Sequence, residues 1–343
     1  MNSKTKTHNC AIDICRYLCA VLVVAIHTEP FTEISPYLAF CVKHLLARIA
    51  VPFFFAVSGF FYTDKLSGGS RPFGPYVKRL LSVYLSWFAI YLAVNWIQHS
   101  PDSPFPFLLN AAKGLFFNVS PSHFWFFPAL IYCVCLITLL NRFRMDKWLL
   151  PLETVFCILG ILGGSFLEAG QQIPILNRLY LHPDYALLRK YLLMAPSYFL
   201  LGAVSYRLQK KLLRFSNKRT FLFWLLSGML WAAEIIYIKY IADRNLYTGM
   251  SCGLYLFVFF TFMLLLRCPL SRFETLSRYC RAMANFTYYS HLLFINLINQ
   301  FTWNILWIDL NNTQMFYACT LLTGIIGLIV FKCNHKWLNP LIR

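Results

Sequence analysis

The sequence has few charged residues and very few acidic ones. Charged residues make up 13% of the 343 residues, and Asp and Glu together number 13, whereas roughly a quarter of the residues in globular proteins are charged. Hydrophobic residues make up 59% and aromatic residues 18%, which is more apolar surface than a soluble core of this size can bury. The composition excludes an ordinary soluble enzyme and predicts a protein embedded in a lipid bilayer.

Several reaction signatures are also missing. The sequence contains no GxSxG elbow, HExxH pair, Walker lysine loop or dinucleotide glycine fingerprint, so hydrolase, zinc protease and NTPase functions lack support. It has no CxxC pair or Cys/His cluster, and most of the 12 cysteines fall within apolar runs. We interpret these cysteines as small buried hydrophobic residues. We expect neither a bound metal nor a permanently bound cofactor.

Ten stretches are apolar and long enough to cross a membrane, because a helix needs about 20 mostly apolar residues to span the hydrocarbon core. They lie near residues 12–30, 42–62, 79–97, 123–140, 149–167, 187–206, 220–238, 250–266, 283–300 and 314–331. The first stretch continues into His27 and Glu29 without a small-residue cleavage site, which predicts a retained helix rather than a signal peptide. We therefore expect one all-α, polytopic membrane domain over residues 1–343, with both termini on the same side.

The formal net charge of +18 is distributed unevenly among the predicted connections. Of the 31 Lys and Arg residues, 22 lie in the termini and in the connections after spans two, four, six and eight, and six lie in the opposite connections. Basic residues gather on the cytoplasmic side of membrane proteins. The pattern predicts cytoplasmic termini in a multi-pass protein of the cytoplasmic membrane, with the bilayer rather than nucleic acid as partner.

Three basic residues, Arg16, Lys43 and Arg48, remain within or at the edges of spans one and two. Ionisable groups in such positions are costly unless they face the bundle interior, so they are candidates for function. Arg16 and His27 are eleven residues apart, which is about 20° from three full helical turns and roughly 16 Å along the axis. The first helix is thus expected to present a cation and an imidazole on one face.

Other residues within or at the start of the predicted spans are also candidates for function. They are Ser58 and Gly59 after Pro52 in span two, His123 and Trp125 at the start of span four, Arg189 at the start of span six, and Tyr288 and His291 in span nine. A histidine and several arginines around a membrane cavity suit two tasks. One is proton abstraction during acyl transfer from an anionic carrier, and the other is translocation of a small zwitterion.

Five segments resemble, in order, the motifs of the acyltransferase 3 family. They are ICRYLCAVLVVAIH with Arg16 and His27, ARIAVPFFFAVSGFF with Arg48, Ser58 and Gly59, YVKRLLSVYLSWF with Arg79, HFWFFPALI with His123 and Trp125, and TYYSHLLF with Tyr288 and His291. The resemblance implies an O- or N-acyltransferase of the cytoplasmic membrane. Such an enzyme takes an acyl group, expected to be acetyl, from cytoplasmic acyl-coenzyme A (acyl-CoA) as co-substrate. It transfers this group to an extracytoplasmic glycan or another hydroxyl or amine acceptor.

The resemblance also implies roles for individual residues. It implicates Arg16 and His27 in handling the donor and Arg79 in binding its anionic part. We expect His27, assisted by Arg16, to be catalytic, as a general base or a transient acyl carrier. The remaining assignments are expectations of the same kind: Arg48, Ser58 and Gly59 at the donor, and His123, Trp125, Arg189, Tyr288 and His291 on the acceptor side.

Three segments, AVPFFFAVSGFF, HFWFFPALI and LRKYLLMAPSYFLLG, are also similar to the membrane half of the membrane-bound serine racemases of vancomycin-resistance operons. That half is linked to serine uptake. The sequence stops where their racemase domain would begin, so racemisation is not expected. The alternative function is uptake of serine or a similar amino acid, in which Arg16 and Arg48 pair with the carboxylate and Glu29 or Asp13 with the amine.

Overall fold

The computed structural model describes residues 9–99, 103–114, 122–243, 249–268, 270–333, 335 and 338–342. All regular structure in these ranges is helical, which confirms the all-α prediction. The α-helices are, in chain order, α1 Cys10–Thr28, α2 Pro36–Phe40, α3 Ala50–Ser67, α4 Phe73–His99, α5 Pro104–Lys113, α6 Phe126–Arg142, α7 Leu149–Leu162, α8 Leu167–Gln171, α9 Pro174–Tyr180, α10 Tyr185–Leu188, α11 Ala195–Leu212, α12 Asn217–Ile236, α13 Cys252–Arg267, α14 Glu274–Phe301, α15 Asn312–Cys333 and α16 Asn339–Ile342.

Six helical segments in the described ranges are long and apolar enough to cross a membrane. They are Cys10–Thr28, Pro36–Ser67, Phe73–Gln98, His123–Arg142, Asn217–Ile241 and Asn312–Cys333. The other four predicted spans fall on helices that are shorter, as α7 and α13 are, or more polar, as α11 and α14 are. The protein is therefore a multi-pass membrane protein, while the count of ten spans stays a prediction.

Helix α1 is continuous, which keeps Arg16 and His27 on one face. The Asn9 side chain caps its start by accepting a hydrogen bond from the Ile12 N–H. The helix ends at Thr28, and the capping residue Glu29 has a left-handed φ of 50° and donates its N–H to the Ala25 carbonyl. Helix α1 packs against α14 and α3. We call the end of the bundle where α1 begins the N-end, and the end where it finishes the far end.

The second predicted span is a composite element. Helix α2 continues through a π-helical turn, Cys41–Leu45, and a 3₁₀ turn, Leu46–Ile49, into α3. Because α3 runs antiparallel to α1, the 3₁₀ turn lies near the far end. Ion pairing between Lys43 and Glu29 fastens this segment to the end of α1.

Helices α3 and α11 pack with their backbones in close contact. A Cβ atom added to Gly59 would meet the carbonyl oxygen of Phe199, and one added to Gly202 would meet the carbonyl oxygen of Ala56. Small residues at such positions allow membrane helices to approach closely. This contact fixes the helix that carries Ser58.

Candidate functional site

A cavity of about 710 Å³ opens between α1, α3, α4 and α14 at the N-end. Five basic residues line it: Arg16, Arg79, Arg278, Arg281 and Lys332. None of the described lining residues is acidic. Ligand pockets commonly have volumes of about 300–1,000 Å³, and guanidinium groups suit bidentate contact with phosphates. The cavity is therefore suited to a small ligand with several negative charges.

Arg16 is held in place by neighbouring polar groups. Its Nη2 donates to the Asn285 Oδ1 at 3.1 Å, and its Nη1 lies 3.8 Å from the Asp13 Oδ1. The other Asp13 oxygen accepts hydrogen bonds from the Ser277 hydroxyl at 2.8 Å and the Arg281 Nη2 at 2.9 Å. Asp13 thus ties α1 to α14 and orients two of the cavity's arginines.

Ser58 and Gly59 lie on different sides of α3, as consecutive helical residues must. Ser58 lines the N-end cavity, whereas Gly59 is buried against the backbone of α11. Gly59, which was predicted to bind the donor, therefore lies where two helices pack, and its lack of a side chain allows them to approach closely.

Three histidines from separate elements lie in a row next to the cavity. The ring centroids of His27 on α1 and His291 on α14 are 5.0 Å apart. Those of His291 and His123, which precedes α6, are 4.8 Å apart. His291 and His123 are 0% and 4% exposed, whereas His27 is exposed. His27 is the exposed member of the row, and the other two imidazoles are buried.

Backbone carbonyls fix the protonation of the two buried rings. The His291 Nδ1 lies 2.8 Å from the Tyr288 carbonyl oxygen, and the His123 Nε2 lies 3.1 Å from the Tyr289 carbonyl oxygen. Since a carbonyl oxygen only accepts, both ring nitrogens carry the proton and donate. The remaining nitrogens, His291 Nε2 and His123 Nδ1, have no hydrogen-bond partner among the described residues.

Tyr288 separates the cavity from the histidines. It lines the cavity, its ring centroid is 6.1 Å from that of His291, and its hydroxyl donates to the His123 backbone carbonyl at 3.2 Å. The N-end cavity and the histidine row therefore share a wall contributed by α14.

Arg48 does not line the N-end cavity. It lies in the 3₁₀ turn before α3, ten residues and so roughly 15 Å of helix before Ser58. This turn packs against α1, and the π turn before it is ion-paired through Lys43 to Glu29 at the end of α1. The structure thus places Arg48 at the far end, apart from Arg16 and Arg79, although the sequence prediction grouped the three at the donor.

Two residues predicted on the acceptor side, Trp125 and Arg189, lie beside or on the segment that leads into α11, whereas Tyr288 lines the N-end cavity. Trp125 is buried, with its ring 5.8 Å from that of Phe55, and the Lys190 ammonium lies 5.4 Å from the Trp125 ring centroid. The guanidinium of Arg189 lies 5.9 Å from the Tyr185 ring centroid. Trp125 thus contacts Lys190, and Arg189 contacts Tyr185. Lys190, Arg189 and Tyr185 all belong to the segment that leads into α11.

Sequence reasoning did not assign Arg278, Arg281, Asn285 or Lys332 to a site. The two arginines were interpreted only as markers of topology. A signal was present, because Arg278, Arg281, Asn285 and Tyr288 follow one another at intervals of three or four residues and so share a helix face. In the described ranges, no group of three His, Cys, Asp or Glu side chains is arranged to hold a metal ion.

Comparison with known proteins identifies a family whose profile matches this chain. The profile of the acyltransferase 3 family, described as an acyltransferase domain, matches residues 9–333. An amino-acid racemase of Enterococcus faecalis is 32% identical over 210 residues, which are 59% of this chain and 30% of that protein. A serine/alanine racemase of Enterococcus gallinarum is 28% identical over 272 residues, which are 76% of this chain and 37% of that protein.

The chain therefore spans well under half the length of these curated relatives. No solved structure gives a significant match to it.

Proposed function

Because the chain belongs to the acyltransferase 3 family, we propose that it is a membrane acyltransferase that uses acyl-CoA at the N-end and an acceptor that enters from the far end. The observation that carries the proposal lies on α1. This helix contributes Arg16 to a basic cavity and, on the same face, presents the exposed imidazole of His27. With the predicted topology, the cavity opens toward the cytoplasm.

The donor's negative charges match the cavity. Coenzyme A carries a diphosphate and a further phosphate, and five basic side chains with no acidic one line the described wall. Arg79 and Arg278 are exposed, and the Arg79 guanidinium lies 5.1 Å from the Tyr76 ring centroid, while Arg16 and Arg281 are held by Asp13. We assign Arg79 and Arg278 to the phosphates and Arg16 to the deeper part of the donor, nearer His27.

His27 supplies the chemistry by one of two routes. As a general base, it removes the proton from the acceptor hydroxyl or amine, whose oxygen or nitrogen attacks the thioester carbonyl carbon. The tetrahedral intermediate collapses as the C–S bond breaks, and the coenzyme A thiolate takes the proton from His27. As a nucleophile, the His27 ring nitrogen instead attacks the thioester carbonyl carbon, and the coenzyme A thiolate leaves as the C–S bond breaks. The acceptor oxygen or nitrogen then attacks the acyl-imidazole, the acyl–nitrogen bond breaks, and the acceptor's proton passes to the released imidazole.

Replacing Arg79 or Arg278 by glutamine is expected to weaken donor binding by about 10- to 100-fold, since a hydrogen bond to a charged group contributes about 1.5–3 kcal/mol. Equilibrium binding of radiolabelled acetyl-CoA to the purified protein measures this. Arg142→Gln serves as control because Arg142 is exposed and does not line the cavity. Unchanged affinity in both cavity variants would contradict the donor site.

A second candidate is uptake of a serine-like amino acid, which the sequence resemblance to membrane-bound serine racemases implied; one of the relatives is named a serine/alanine racemase. The two functions differ in their need for a donor. Proteoliposomes containing the purified protein are expected not to accumulate radiolabelled L-serine. Accumulation without any acyl-CoA, and unaffected by Arg79→Gln, would favour uptake over transfer.

A further inference from the structure

A tyrosine of α4 takes part in the backbone hydrogen bonding of α14 beside the histidine row. The Tyr91 hydroxyl donates to the Tyr289 carbonyl oxygen at 3.1 Å and accepts the Leu293 N–H at 3.0 Å. In a regular α-helix these two backbone groups, which are four residues apart, pair with each other. The hydroxyl therefore bridges one rung of α14, and His291 lies midway between the two bridged residues.

The bridge is buried, which makes the hydroxyl important to both backbone groups. Tyr91, Tyr289 and Leu293 are 6%, 8% and 7% exposed. A buried backbone group that loses its hydrogen bond is costly, and side chains that insert into a helical ladder change the course of the helix locally. Tyr91 thus helps to set the backbone of the turn that carries His291.

The same carbonyl also holds His123. The His123 Nε2 donates to the Tyr289 oxygen at 3.1 Å, and the His123 and Tyr91 ring centroids are 5.8 Å apart. A carbonyl oxygen can accept two hydrogen bonds, and at Tyr289 two side chains donate them, one from α4 and one from the turn before α6. The position of this oxygen therefore controls the orientation of the His123 ring.

Both buried rings of the histidine row depend on this turn of α14. The His291 ring donates to the Tyr288 carbonyl and the His123 ring to the Tyr289 carbonyl, so consecutive backbone groups hold the two imidazoles. The His291 ring in turn lies 4.8 Å from that of His123 and 5.0 Å from that of His27, between centroids. A shift of the turn would move both buried rings, and with them the surface against which His27 packs.

We propose that Tyr91 is a positioning residue for acyl transfer. By bridging α14 between Tyr289 and Leu293, its hydroxyl holds the His123 and His291 rings where they orient His27. This inference rests on the proposed function, because it requires His27 to be catalytic. Helix α4 then serves both parts of the site, since it also carries Arg79 in the donor cavity.

Tyr91→Phe tests the proposal because it removes the hydroxyl and keeps the ring. The variant is expected to fold, since the Leu293 N–H and the Tyr289 carbonyl can then pair directly, as in a regular α-helix. Tyr132→Phe is the control, because Tyr132 is 37% exposed on α6. Thermal unfolding of both variants in detergent checks that they are folded before the two readouts below.

The first readout needs neither donor nor acceptor. It is NMR of the imidazole nitrogens in protein isotopically labelled at histidine, with His123→Gln used to assign the His123 signals. Wild type and Tyr132→Phe are expected to show His123 as one tautomer, protonated at Nε2. In Tyr91→Phe the signals should shift or divide between two tautomers, because the carbonyl that fixes the ring has moved. Unchanged His123 signals in Tyr91→Phe, or wild-type His123 protonated at Nδ1, would overturn the proposal.

The second readout is the transfer of label from radiolabelled acetyl-CoA to hydroxylamine, a small probe with a hydroxyl and an amine, corrected for the reaction without protein. Tyr91→Phe should lower the rate by about 10- to 100-fold, as expected for a misplaced catalytic group, and Tyr132→Phe should leave it unchanged. Acetyl-CoA affinity should stay within a few-fold of wild type in both, since neither residue lines the N-end cavity.

The outcomes separate this inference from the proposed function. If His27→Ala lowers the rate and Tyr91→Phe does not, or if Tyr91→Phe loses donor affinity as much as rate, the positioning role is wrong and acyl transfer stands. If wild type transfers label no faster than His27→Ala, the proposed function fails and the positioning role fails with it.

Discussion

Replacing His27 by alanine is expected to lower the rate of acyl transfer by about 10²- to 10⁴-fold, the usual effect of removing a general base. The imidazole is the exposed member of the histidine row, and the other two rings are buried behind it. Radiolabelled acetyl-CoA supplied to purified protein in liposomes, with label followed into acceptor, measures the rate. Donor affinity should stay within a few-fold of wild type, since His27 does not line the N-end cavity.

His182→Ala is the matched control, because His182 is an exposed histidine paired with Asp184 outside the site. Transfer by His27→Ala at the wild-type rate would exclude both catalytic routes. The two routes differ in one readout: label that stays on the denatured protein, and is absent from His27→Ala, indicates an acyl-enzyme. His291→Gln should lower the rate less than His27→Ala, because His291 is buried and acts through His27.

Replacing Gly59 or Gly202 by alanine is expected to cost stability rather than donor binding. The added methyl group would overlap a backbone carbonyl, of Phe199 or Ala56, that cannot rotate away. Overpacking of this kind costs about 1–3 kcal/mol, and each kcal/mol lowers the unfolding midpoint by about 2–4 °C in a domain of 150–250 residues. Thermal unfolding in detergent measures the loss for each variant.

Gly74→Ala provides the control, since a Cβ atom at Gly74 would meet no atom within 4 Å. Ser58→Ala completes the comparison because Ser58 faces the cavity on the next position of α3. We expect Ser58→Ala to weaken acetyl-CoA binding with an unchanged midpoint. If Gly59→Ala unfolds at the wild-type temperature but binds donor weakly, this prediction is wrong and Gly59 belongs to the donor site.

Much of the first helix was predictable because its features are local. The predicted span 12–30 and the observed α1, Cys10–Thr28, differ by two residues at each end. The shared face of Arg16 and His27 requires only helical periodicity, and an unbroken helix preserves it. The prediction that the cysteines are buried holds for some of them: Cys19, Cys133 and Cys319 are buried, whereas Cys41, Cys268 and Cys333 are exposed.

The grouping of charges was harder to predict because it depends on how helices are packed. Arg48 resembled a donor-site residue by motif, yet the antiparallel course of α3 takes it to the far end, apart from Arg16 and Arg79. Arg278 and Arg281, in contrast, were not predicted to be part of a site but line the cavity. They were counted as topological charges, and the packing of α14 against α1 turns them toward the cavity beside Arg16.

By itself, the sequence determined a membrane-embedded helical protein, its family, and the face of α1 that carries Arg16 and His27, because composition and periodicity act within single helices. The tertiary structure decided which cations lie at which end of the bundle. Electrostatic interactions and hydrogen bonds between helices depend on distances of a few ångströms between residues far apart in sequence, and only the packed bundle sets those distances. It also brought His123 and His291 into line with His27.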